Sequence, residues 1–199
     1  MRFRNWLVLF LSISALPAAD KEVRWTPGPV ESYPYRVTSE KVTLAAEPFE
    51  TAEKTRGPFG KLNPNQHGVL PMLLVIKNDS GKALRLDVMD VRYIDQNRNQ
   101  LEPTPAHEVP LIEGGKKPKL VQNPIPTGAP KLGNRRSKLN TLEIQTRAFA
   151  AKMLPPGDVA SGFFYFQTGF SSRARIYVTG LREAGSEREL FYIEIPFRE

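Results

Sequence analysis

Four consecutive aromatic-rich positions, Phe163-Phe164-Tyr165-Phe166, constrain this chain more than anything else in it. They follow Pro155-Pro156-Gly157-Asp158, a turn that no helix can cross. Side chains alternate across a strand, so Phe164 and Phe166 share one face while Phe163 and Tyr165 share the other. A strand apolar on both faces must be covered on both, and the helix or loop elsewhere in the chain is the expected cover. Each fully buried aromatic contributes roughly 1.5–3 kcal/mol.

A second apolar run supports the same reading. Met72 to Ile76 is continuously apolar, the pattern of a strand buried on both sides. The Asn78-Asp79-Ser80-Gly81 cluster turns the chain. Apolar positions then run Leu84, Leu86, Val88 and change phase to Val91 and Tyr93, which predicts a bulge near Met89 or Asp90. Asp95 to Asn99 reads as a further turn, with a short strand from Gln100. Upstream, 35–45 reads as a first strand, and 50–68, full of Gly, Pro and Asn, as a long loop. Residues 139–154 carry Leu139, Leu142, Phe149 and Met153 on one stripe, with Asn140 and Glu143 spaced as a capping box, and predict a helix over about 140–153. Three closing strands span about 160–168, 173–181 and 189–197, with a hairpin link at 180–189. The sum is about seven short strands and one helix, the signature of an antiparallel β-sandwich of immunoglobulin-like size.

The chain begins as an exported protein does. Arg2 and Arg4 precede the apolar run Trp6–Leu16, and small residues lead to Asp20. That layout is a secretory signal peptide over 1–19, too short for the ~20 residues of a spanning helix. An extended Pro-rich lead-in (20–34) and one domain (35–199) follow. This organisation places the mature protein in the periplasm or outside the cell, and not within the membrane. There are no cysteines, so an exported chain of this kind must be held by its core alone, without disulfides, thiol catalysis or a lipoprotein anchor.

Formal charge is +7, and +5 without Arg2 and Arg4. The excess is local. Residues 113–138 hold Lys116, Lys117, Lys119, Lys131, Arg135, Arg136 and Lys138 against the single acid Glu113. The same stretch lies within 103–138, which carries seven prolines and little that can be buried. An inserted loop of that length calls for a reason. Its composition points to contact with an anionic partner in the envelope, whether an acidic protein, glycan or lipid, weakened by salt. Arg135-Arg136 is also a candidate nick site.

Other motifs fail on their spacing. Ser161-Gly162 before the aromatic run echoes a base-stacking strand, but the basic residue that precedes the glycine there is replaced by Ser161, which argues against nucleic acid. The stretch "RGPFGKLN" (56–63) has two residues between Gly57 and Gly60 where a phosphate loop needs four, and Leu62 in place of the hydroxyl. His107-Glu108 lacks a second histidine, and His67 stands alone in a polar loop. Met72, Met89 and Met153 are spaced as core residues. Ser161 has no nucleophile elbow. Asp87, Asp90 and Asp95 lie along one strand and its turn, with no assignable pairing for hydrolysis. The chain therefore calls for no cofactor, no metal and no catalytic residue.

Taken together, "NDSGKALRLDVMDVRYIDQNRNQLEP" (78–103), "LPPGDVASGFFYF" (154–166), "RARIYVTGL" (173–181) and "ELFYIEI" (189–195) resemble uncharacterised secreted bacterial domains with an immunoglobulin-like β-sandwich. The resemblance covers roughly 70–102 and 154–197. It implies a fold and carries no catalytic residue. The expectation is a non-catalytic binding or interaction module of the envelope. The alternatives are a structural accessory subunit that pairs through a sheet edge, and a secreted hydrolase with unassigned carboxylates.

Overall fold

The computed structural model describes residues 25–112, 138–139, 141–190 and 192–197. The proposed signal peptide lies outside them. The described chain is mainly β, with eleven strands in three antiparallel sheets, and it fits a β-sandwich.

The central sheet is built from β1 (Arg36–Ser39), β2 (Val42–Pro48), β3 (Leu70–Asn78) and β8 (Val159–Phe166), in that spatial order. The expected single strand at 35–45 is instead a hairpin. Glu40 and Lys41 both take positive φ, 49° and 63°, and form a two-residue turn. Ser39 pairs with Val42 across it. Left-handed backbone is costly for such residues. It is held by the Asp79 N–H donating to the Lys41 carbonyl at 2.9 Å and by Arg188 donating to Glu40 at 2.6 Å.

The second sheet runs β11 (Ile193–Pro196), β9 (Arg175–Thr179), β5 (Asp90–Ile94), β6 (Gln100–Leu101). A small third sheet, β10 (Arg182–Glu183), β4 (Leu84–Arg85) and β7 (Met153–Leu154), joins them. The phase change between Leu86 and Val91 is therefore not a bulge. Met89 N–H donates to the Leu86 carbonyl at 3.2 Å, and that turn carries the chain from the third sheet into the second. Strand β10 lies within the expected hairpin link at 180–189.

Both long apolar runs fall where their patterns require. β3 is central and pairs on both sides, Leu73 opposite Phe163 and Leu74 opposite Gly162. Its even-numbered side chains, with Leu44, Ala46 and Phe166, meet Val91, Tyr93, Ile176, Val178, Ile193 and Ile195 of the second sheet to form the sandwich core. Its odd-numbered side chains, with Ala45, Phe163 and Tyr165, form a second cluster on the opposite face, covered by Val30, Phe59, Val109, Leu139 and Ile144. Phe163, Tyr165 and Phe166 are buried, and Phe164 is half-buried against Phe149 at 5.3 Å between ring centroids.

The cover differs from expectation in two places. The stretch 50–68 is not all loop. It forms α1 (Ala52–Phe59) and a short 3₁₀ turn, Pro64–His67. Thr51 caps α1 by accepting from the Lys54 N–H, and Thr55, Pro58 and Phe59 turn inward. Gly57 lies in the helix because Trp25 occupies the space beside it: an added Cβ would sit 2.8 Å from the indole Cδ1. Conversely, the helix expected over about 140–153 shrinks to α2 (Leu142–Thr146), with Thr141 at its N-cap rather than Asn140, and only Ile144 buried. Beyond it the chain turns to pair with β8. Phe163 N–H donates to the Arg147 carbonyl at 2.8 Å, and Phe149 N–H to the Phe163 carbonyl at 3.0 Å. Edge pairing satisfies an otherwise open strand and overrides the helical pattern.

Asn78 ties β3 to the Pro155 corner. It is fully buried, and its amide donates to the carbonyls of Lys82, Leu154 and Pro155 at 2.7–3.1 Å while its oxygen accepts from Ser80 N–H and Oγ.

Candidate anion-binding surface

Of the basic residues singled out in the sequence, Lys116, Lys117, Lys119, Lys131, Arg135 and Arg136 lie outside the described residues. Lys138 is described and exposed. The two ends of the segment are firmly seated. Before it, a 3₁₀ turn at Val109–Leu111 buries Val109, and after it Leu139 is buried. Both side chains belong to the cluster on the covered face of the central sheet. Tyr165 braces that base: its hydroxyl donates to the Ile144 carbonyl at 2.7 Å, and the Thr104 N–H donates to the Tyr165 carbonyl at 2.7 Å. Burial pushes the Tyr165 phenol far above its usual range, so it stays a neutral donor. The segment thus leaves from and returns to one layer, the same layer that holds α1.

On that layer lies a groove of about 620 Å³, lined by Ala52, Thr55, Arg56, Gly60, Lys61, Leu62, Asn63 and Gln66. No carboxylate lines it. Arg56 and Lys61 are exposed, and neither makes an ion pair among the described residues. Several cations elsewhere are paired instead. Lys54, on the same helix, bonds Glu47 at 2.5 Å and Glu50 at 3.2 Å. Burial pulls its ammonium down, but those two carboxylates outweigh it and hold it above the usual lysine range. On the second sheet Arg92 pairs with Asp90 at 2.8 Å and Arg175 with Glu194 at 2.8 Å. In the third sheet Glu183, buried, accepts from Lys82, Ser186 and Arg188 at 2.6–2.8 Å. The Arg188, Lys82 and Ser186 bonds hold its carboxyl down at about 2.

The groove is formed by the stretch that fails the phosphate-loop pattern, and its geometry agrees with that failure. Residues 56–59 are the C-terminal half of α1, and the loop wraps the helix's carbonyl end rather than an N-terminus. Side-chain cations, not backbone amides, supply the positive charge. Sequence reasoning missed the groove because Gly57, Pro58 and Gly60 mask the helix that presents Arg56. The detectable signal is the pair Arg56 and Lys61 with no acid between or beside them from Lys54 to Asn63.

Two of the remaining candidates are engaged in local bonds. Asp87 pairs with Arg85 at 3.0 Å, and Asp95 accepts from the Asn97 and Asn99 N–H groups and the Asn99 amide at 2.8 Å. Bonds from Arg85 and Asn99 respectively hold both carboxyls below the usual range. His107 lies 3.6 Å from Glu108, and no group of three His, Cys, Asp or Glu side chains suited to a metal ion occurs among the described residues. No helix among them is long and apolar enough to cross a membrane. No protein-family model and no curated protein matches the chain.

Proposed function

We propose that this protein is an exported, non-catalytic binding module of the bacterial envelope whose contact surface for an anionic partner is the basic segment 113–138. One observation carries the reading: seven positive charges and one negative are concentrated in a segment whose two flanks, Val109 and Leu139, are buried in a single cluster. A charge excess held at both ends on a packed base attracts anions over a Debye length of ~8–10 Å and does so less as salt rises. The signal-like N-terminus and the absence of cysteine fit an exported protein without staples.

A second reading has its own observation. β1 is the outermost strand of the central sheet, paired on one side only, by β2. An accessory subunit could add a strand there. Affinity capture from an envelope extract separates the two. The mature protein is compared with a version lacking 113–138, at low and at physiological salt. A component retained only by the intact protein and released by salt is the expected result. Equal capture by both proteins would overturn the segment as the contact and move it to the β1 edge.

A further inference from the structure

We propose that the Arg56–Lys61 groove is a phosphate-binding site, taking a phosphate monoester carried on a polar group of about sugar size. The inference rests on the reading that the partner is anionic, but it places a second, independent site within the described fold.

Three features converge. First, Arg56 and Lys61 line one groove with no carboxylate in it and make no ion pair among the described residues, and other cations without an ion pair there, such as Arg98 and Arg173, do not line it. Unpaired cations facing one concavity favour an anion, and a guanidinium fork beside an ammonium suits a tetrahedral oxyanion. Second, the other polar lining is neutral and amide-rich. Gln66 is exposed, and Asn63 uses its oxygen to accept from Asn65, which leaves its own NH₂ as donor. These groups suit the hydroxyls of a polar carrier. Third, the groove's about 620 Å³ exceeds what a bare phosphate fills. Its floor is firm: Thr55 is buried and bonded to the Thr51 and Ala52 carbonyls, and Leu62 packs on the cluster beneath. The carbonyl end of α1 opposes an anion here, so the two side chains must carry the binding, which makes the site easy to break.

The test uses the intact mature protein and the double variant Arg56→Ala/Lys61→Ala. Probes are inorganic phosphate, glucose 6-phosphate, and phosphatidylcholine vesicles with and without phosphatidic acid. Amide NMR shifts at Gly60, Lys61, Asn63 and Gln66 report the site directly. Glucose 6-phosphate should move those amides, and the double variant should weaken its binding at least about tenfold. A phosphate monoester gains its second charge near pH 6, so binding should tighten between about pH 5.5 and 7.5. Binding of both soluble phosphates without vesicle binding identifies a soluble or glycan-borne phosphate. Vesicle binding that needs both phosphatidic acid and the intact pair identifies a lipid headgroup. The double variant Arg56→Lys/Lys61→Arg should retain most affinity, and it guards against loss through misfolding. Silent groove amides with every probe, or equal binding by the Ala variant, would overturn the site. Loss of envelope capture on deleting 113–138, with the groove titration unchanged, would leave the two sites separate. Failure of the groove titration alone would leave the segment reading intact.

Discussion

The central and second sheets face the same core yet treat their outer faces in opposite ways. Along β5 and β9 burial alternates strictly, one residue in and the next toward solvent, and the outer face carries neutralised pairs such as Arg175–Glu194 beside Tyr177 and Tyr192. Along β3 every residue but Lys77 is buried. The outer face of the central sheet is sealed by Trp25, Phe59, Val109, Leu139 and Ile144, and Phe163 lies at its centre, with the rings of Trp25, Phe49, Phe59 and Tyr165 within 4.9–6.4 Å. The chain devotes 50–68 and the described flanks of the basic segment, 103–112 and 141–148, to that cover. The lesson is a division of labour: the second sheet completes the sandwich, and the cover on the central sheet bears the carboxylate-free groove of Arg56 and Lys61 and the roots of the basic segment.

The sharpest break of this comparison pairs one aromatic from each outer face. Phe163→Ala should cost about 3–5 kcal/mol in chemical denaturation, whereas Tyr177→Ala, on the open face, should cost under about 1 kcal/mol. Similar losses would erase the distinction. The half-buried Phe164 should fall between them. Asn78→Asp comes next in size. It replaces an amide that donates to three carbonyls with a buried group that cannot, at a cost of about 3 kcal/mol or more. Asn78→Asp should also lose stability further as pH rises and the carboxyl ionises. Gly162→Ala should cost about 1–3 kcal/mol, because a Cβ there would lie 2.6 Å from the Phe149 nitrogen where the cover docks on β8.

Glu183 sharpens the comparison through pH. Its carboxyl is held at about 2, below its unfolded value near 4.5, so its contribution is fully present above pH 4.5 and is lost as pH falls toward 2. Glu183→Gln should flatten that acid limb of the stability profile. An unchanged limb would mean that other carboxylates set it. The smallest effect is at the β1–β2 turn. Lys41→Gly should stabilise by about 0.5–1 kcal/mol, since Lys41 sits at φ 63° and only its carbonyl is used.

Much of this was legible in the sequence. The aromatic run and Met72–Ile76 announced strands apolar on both faces because period-two alternation leaves no other home for them. The turns at Asn78 and Asp95 and the closing strands followed from local chemistry. What could not be read was decided by distant contacts. Trp25 admits Gly57 to a helix, and the open edge of β8 draws 147–149 out of one. The switch of sheets at Leu86–Met89 imitates a bulge, since both change phase. The basic segment was visible as composition, but the groove was not, because Arg56 and Lys61 meet only through a helix that the local glycines and proline argue against.

The most direct test of the division of labour works whatever the partner's identity. A photo-crosslinking residue is placed at Lys138, on the cover, or at Tyr192, on the open face of the second sheet, and each protein is irradiated in envelope extract at low salt. Adducts from position 138 that fade at physiological salt, with none from position 192, are the expected result. Salt-insensitive adducts from position 192, with none from 138, would contradict the assignment of binding to the cover.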